Sequence, residues 1–137
     1  LHHLSESVGA KLRSQKKSAR GVGVYAITYE REYWHKKFLA PLPFFSDRAI
    51  WRIAESLFQS APVKGIREIG IHCYHLHDDS SDQLSLFGDE LAREQREVKA
   101  VDEINALWGE RTIHSADTLG TGIYVKTKTP FGSTRYL

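Results

Sequence analysis

Two strand-forming stretches lie almost end to end in this chain, and their closeness restricts the fold more than any other feature. "GVGVYAITYE" (21–30) is β-branched and aromatic, and "EYWHKKFLA" (32–40) follows with little but residues 30–32 to turn on. A connection that short joins antiparallel neighbours, because a parallel pair needs a crossover of a dozen residues or more. A hairpin is predicted. Upstream, Leu1, Leu4, Val8 and Leu12 recur at three- and four-residue steps, the apolar stripe of an amphipathic helix. That helix is expected to stop at Gly21, after a basic run (Lys11, Arg13, Lys16, Lys17 and Arg20) that suits the negative end of its dipole.

Downstream, "APLPFF" (40–45) holds two prolines and reads as a loop. Ser46 can cap a helix running to about Ser60, with Ile50, Ile53, Ala54 and Leu57 on one face and Pro62 ending it. "IREIGIHCYHLH" (66–77) is a third strand, and residues 78–90 a loop. Another helix is expected over 90–108, striped by Leu91, Val98, Val101, Ile104 and Trp108 and stopped by Gly109. The tail "GTGIYVKTKTPFGSTRYL" reads as one extended segment with turns, and the chain contains no internal repeat. The fold class is α+β: a small antiparallel sheet with two helices packed on one face, plus a C-terminal helix and an extended tail. The other sheet face is left free to carry function.

Length and composition limit the alternatives. The 137 residues, 41% of them hydrophobic, allow one domain with an appendage. A single cysteine, Cys73, rules out an internal disulfide framework and suits a reducing, cytoplasmic setting. No apolar run approaches the ~20 residues of a membrane span, so no membrane partner is expected. The chain lacks methionine and begins on a helical pattern, as expected of a piece of a longer protein. The net charge of +2 hides a polarity: residues 1–67 hold 12 Lys/Arg against 5 Asp/Glu, and residues 68–137 hold 7 against 12. A basic half is the footprint of a phosphate-backbone binder, although basic residues also simply coat solvated faces.

Three short motifs could carry chemistry. "DQLSLFGDE" (82–90) sets two leucines and a phenylalanine among acids, either as a short buried strand or as bait for another protein. "HDDSSD" (77–82) is a polar loop whose acids read as solvated rather than as a metal cluster. "HCYHLH" (72–77) offers zinc-type ligands, with Cys73, His75 and His77 expected on one strand face. Residues two apart on a strand rarely close a tetrahedral site alone, so no metal is assigned.

Taken in order, "LSESVGAKLR", "ARGVGVYAITY", "HKKFLAPLPFFSDRAIWRIAESLF", "IREIGIHCYHL" and "QLSLF" resemble the C-terminal little-finger domain of Y-family translesion DNA polymerases, of the bacterial polymerase IV and UmuC-like kind, with its adjoining clamp-binding peptide. "AVDEINALWGERTIHSADTL" is similar to the tail of some bacterial members, where a helix with an Asp-x-Ile-Asn run precedes an aromatic-Gly turn. The resemblance implies a DNA-holding domain over 1–77, a loop with a clamp peptide over 78–90, and a helix and tail over 91–137. It implies a clamp peptide of the form Gln-Leu-x-Leu-Phe at Gln83, Leu84, Ser85, Leu86 and Phe87, with Leu86 and Phe87 filling an apolar cleft and the Gln83 amide bonding at its rim.

The resemblance further implies a sheet face that lies toward the major groove of primer-template duplex and holds it mostly by phosphates, without reading its sequence. The matching positions are Lys16, Lys17 and Arg20 after the first helix, and His35, Lys36 and Lys37 on the second strand, with Arg31 and Arg67 as weaker candidates. Lys stands where members carry Arg, which supplies charge without a bidentate fork. The family domain opens with a strand before its first helix, whereas this chain starts within the helix, leaving a sheet edge for the tail or a neighbour to fill. No catalytic residue is expected here. The carboxylates that hold Mg2+ for nucleotidyl transfer belong to the parent's palm, which with the finger and thumb domains would lie upstream. Two other readings compete with this one. An RNA-recognition module needs rings where Val22 and Val24 stand, and a clamp-binding adaptor without a DNA grip would show no phosphate dependence.

Overall fold

The hairpin forms, and its first strand becomes the middle of the sheet. The computed structural model describes residues 1–61, 65–78 and 88–123. The elements run α1 (His2–Ser14), β1 (Lys17–Thr28), β2 (Tyr33–Phe44), α2 (Asp47–Phe58), β3 (Ile66–Asp78) and α3 (Asp89–Trp108), followed by 3-10 turns at Ala116–Thr118 and Thr121–Ile123. The sheet order is β2-β1-β3, antiparallel throughout. The α+β class and the helix–strand–strand–helix–strand order are those the sequence predicts.

Alternation along β1 decides what each face does. Val22, Val24 and Ala26 point to one side and are fully buried there. Leu12 of α1, with Ile50, Ala54 and Leu57 of α2, closes over them, joined by Ala40 and Phe44 of β2. Ile71 and Cys73 of β3 pack against this cluster from the same side. Removing each large side chain from water contributes ~1.5–3 kcal/mol, which fixes both helices to this face. Ser46 caps α2 as expected, its hydroxyl accepting the Ala49 N–H at 3.3 Å.

Two boundaries differ from the sequence reading. The first helix ends at Ser14, not at Gly21, and β1 begins at Lys17. Lys16 itself takes the left-handed turn (φ 53) in which glycine is usual. The strand claims the next residues because Ser18 and Ala19 are buried and pair with His77 and Leu76. Nor does "APLPFF" form a loop, since β2 continues to Phe44 through Pro41 and Pro43. Pairing steps from Gly21↔Leu39 to Ala19↔Phe44, so the prolines occupy a bulged stretch of an outer strand, where no ladder N–H is required of them. Arg20 lies in that bulge and donates from Nε to the Ala40 carbonyl at 3.1 Å.

The C-terminal segment docks on α1 by polar contacts rather than by its apolar stripe. Arg13 grips both Asp102 oxygens (Nε to Oδ2 2.6 Å, Nη2 to Oδ1 2.9 Å) and reaches Asp47 Oδ1 of α2 at 2.6 Å. Gly9 makes room for this junction, because a Cβ there would fall 1.9 Å from Asp47 Oδ1. Burial pushes the Asp47 carboxyl above its ordinary value, and the Arg13 bonds only partly offset that. Glu6 accepts from Arg111 and from the Ser115 N–H, His3 bonds Thr121, and His2 bonds Asp117 while stacking on Trp51. Asn105 clamps the chain after α3, giving and taking a hydrogen bond at the Ile113 backbone (3.0 and 2.8 Å). Of the stripe, Leu91, Val98 and Val101 are half-buried without joining the core, while Ile104 is 37% and Trp108 73% exposed. Gly109 ends α3 as predicted. Of the tail, residues 121–123 form a 3-10 turn, and residues from 124 on lie outside the described residues.

Candidate nucleic-acid interface

Opposite the helices, β1 presents Gly21 and Gly23, and this missing bulk shapes the open face. A Cβ at Gly21 would lie 2.4 Å from the Tyr74 ring, and one at Gly23 would lie 2.2 Å from the His72 ring. Across the sheet, Tyr25 lies over Gly70 in the same way, at 2.1 Å. Rings therefore lie flat on a glycine floor instead of standing away from it.

The edge strand adds the charge. Lys37 pairs with Gly23 and His35 with Tyr25, so both share this face with the rings. Lys37 Nζ lies 5.8 Å from the Tyr74 ring centre, a cation–π contact that leaves its charge toward solvent. Tyr33 stacks between Tyr25 (6.1 Å) and His35 (5.5 Å). Tyr25 Oη donates to Glu68 Oε1 at 3.2 Å. Burial, then Lys37 and His35, hold the His72 imidazole below its ordinary value, so it is neutral at pH 7.

The residues expected to contact DNA do not all gather here. His35 and Lys37 share the open face. Lys36 points the other way, to the helix side, where its ammonium donates to Ser60 Oγ at 2.9 Å. Lys17 is tied to Asp78 at 2.8 Å, a bond that holds the Asp78 carboxyl below its ordinary range. Lys16 is exposed in the turn before β1, and Arg20 is engaged in the bulge. Arg31 turns the hairpin with φ 67, and Arg67, exposed, sits where the β1–β3 register shifts. Part of the basic half is thus neutralised within the molecule, Arg13 and Lys17 being paired with carboxylates.

Tyr25, Tyr33, His72 and Tyr74 were missed as members of one surface. Their signal was present in the alternation of "GVGVY" against "HCY", small residues on one strand facing rings on the next. Val22 and Val24, where an RNA-recognition module needs rings, are core residues with no exposure. Cys73 faces the helices, and burial pushes its thiol up to about 11. His75 takes φ 51, which breaks the alternation that would align Cys73 with His75 and His77. Among the described residues no three His, Cys, Asp or Glu side chains converge as a metal site. No helix among them is long and apolar enough to cross a membrane. Gln83, Leu84, Ser85, Leu86 and Phe87 lie outside the described residues.

Two helices on one face of an antiparallel sheet, with the other face open and lined by rings, define an α+β domain of the little-finger kind. Residues 1–86 match the impB/mucB/samB family C-terminal domain. The chain belongs to that family, whose members are Y-family DNA polymerases acting in DNA damage tolerance. No curated protein matches the chain.

Proposed function

We propose that the domain holds duplex DNA for a translesion polymerase, with the open sheet face against the phosphates and residues 83–87 docked on a sliding clamp. The observation that carries the DNA reading is Lys37 lying on Tyr74 beside His35 and His72, on the face the helices leave uncovered. A cation with imidazoles and phenols over a flat floor offers charge and hydrogen bonds to a backbone, with no fork aimed at a base edge. Binding indifferent to sequence suits an enzyme that copies damaged templates.

Lys16 and Arg31 mark the two ends of β1 and extend the contact. Twelve residues of strand span roughly 36–40 Å, about one turn of duplex, so the two cations can meet phosphates one turn apart. Lys37, rather than Lys36, supplies the central charge. Residues 1–77 are then the gripping unit and residues 78–90 the tether for the clamp peptide, with Leu86 and Phe87 as its anchors and Gln83, Leu84 and Ser85 setting its register. Catalysis and its Mg2+ stay with the upstream palm, and no catalytic step is assigned here.

A salt titration of duplex binding tests the grip. Lys37→Ala is expected to flatten the slope of log affinity against log salt by about one phosphate equivalent, and Lys36→Ala to leave it unchanged. Equal slopes in wild type and Lys37→Ala would remove this face from the interface. Leu86→Ala with Phe87→Ala is expected to abolish clamp binding without moving the thermal midpoint, whereas a stability loss of ~2–5 kcal/mol per residue would make "QLSLF" a core strand.

A further inference from the structure

The open face carries little fixed charge for a surface that is to hold a polyanion. At its centre Lys37 is a permanent cation and Glu68, bonded by Tyr25, a carboxylate. Between them the charge depends on imidazoles. His72 lies over Gly23 at the middle of the sheet, with Lys37 and His35 facing it from β2 and Tyr74 beside it on β3 (ring centres 6.1 Å apart). Among the described residues, Tyr25 of β1, Tyr33 of β2 and Glu68 of β3 are the other charged or titratable groups of that face, and His75 lies against the Tyr74 ring (5.4 Å).

We propose that duplex binding at this face takes up a proton on His72, so that the grip tightens as pH falls. The inference rests on the reading of the open face as the DNA interface. In the free protein, burial and then the Lys37 ammonium disfavour the charged imidazole. A phosphate brought against Lys37 stands within reach of His72 and reverses the sign of the field there, since an anion within ~4–6 Å favours the protonated ring. The proton comes from solvent, and the new imidazolium adds a second cation beside Lys37. Linkage sets the size: affinity rises by up to about tenfold for each pH unit between the bound imidazole's titration and the free one's, and levels off below the latter.

The experiment is duplex binding by the whole chain at fixed ionic strength between about pH 8 and about pH 6, the range in which imidazoles change charge. A fluorescent duplex serves as probe, with calorimetry in two buffers of different ionisation enthalpy to count protons. Affinity is expected to rise several-fold toward low pH, with a fraction of a proton taken up per duplex bound and a profile flattened in His72→Gln. Binding that is salt-dependent but flat with pH, with no proton count in the wild type, overturns the inference and leaves the DNA reading standing. A rise that persists in His72→Gln assigns the proton to another group and overturns it too. Absence of duplex binding at every pH removes both.

Discussion

Residues 1–78 and residues 88–123 are held by different physics. In the first, Val22, Val24, Ile50 and Ala54 are buried completely between sheet and helices. In the second, α3 buries no residue, and the segment is fastened through Arg13–Asp102, Arg111–Glu6, His2–Asp117 and His3–Thr121. Apolar burial is not weakened by salt and carries several kcal/mol per position, whereas the partly buried ion pairs carry about 1–2 kcal/mol each and are the part that salt can screen. The sheet domain is therefore a rigid plate, and the C-terminal segment a strap on its helix side, opposite the face assigned to DNA.

The comparison breaks most visibly at Ile50. Ile50→Ala should cost ~2–5 kcal/mol and unfold plate and strap together, because α1 carries the strap's anchors; a loss below ~1 kcal/mol in denaturant melts would deny the apolar core its role. Asp102→Asn should act on the strap alone. It removes about 1–2 kcal/mol of attachment, quickening amide exchange across α3 while the melting of residues 1–78 stays within about 1 kcal/mol. Raising salt from ~0.1 M to ~1 M should quicken exchange in α3 in the same direction and leave β1 untouched, as screening shortens from ~10 Å to ~3 Å.

The smallest effect is one of pH. Burial, then Arg111, holds His3 below its ordinary value of 6.5, and it bonds Thr121 in the strap. A base whose value is depressed on folding contributes stability that is complete above 6.5 and lost as pH falls through the folded value. The strap should therefore loosen in weak acid, by α3 exchange, and His3→Gln should remove most of that dependence. Amide exchange itself slows in acid, so the readout is protection relative to the intrinsic rate; α3 protection that rises as pH falls would contradict the sign.

The element order was legible because its signals are local. The hairpin, the Ser46 cap, the α2 stripe and the Gly109 stop each need only a few neighbouring residues to be read. What was not legible depends on partners distant in sequence. Pro41 and Pro43 read as loop until β2 is known to be an outer strand with a bulge. Lys36 and Lys37 look alike until alternation sends one to Ser60 and the other to Tyr74. The α3 stripe promised an apolar seam, yet its docking was decided by a carboxylate, Asp102, 89 positions from its arginine. The glycine floor was hidden for the same reason: Gly21, Gly23 and Gly70 mean nothing singly and acquire a role only from the rings lying across them.

The central claim, that the sheet face opposite the helices holds the duplex, is tested most directly by following side-chain resonances while duplex DNA is added. The ring signals of His72 and Tyr74 and the Nζ signal of Lys37 should shift together and saturably, and Gly23→Ala, whose Cβ would strike the His72 ring, should weaken that response. Trp51 on the helix layer and Trp108 on α3 should stay unmoved. Shifts confined to those tryptophans, with His72 and Tyr74 silent, would place the duplex on the other side of the domain and contradict the account.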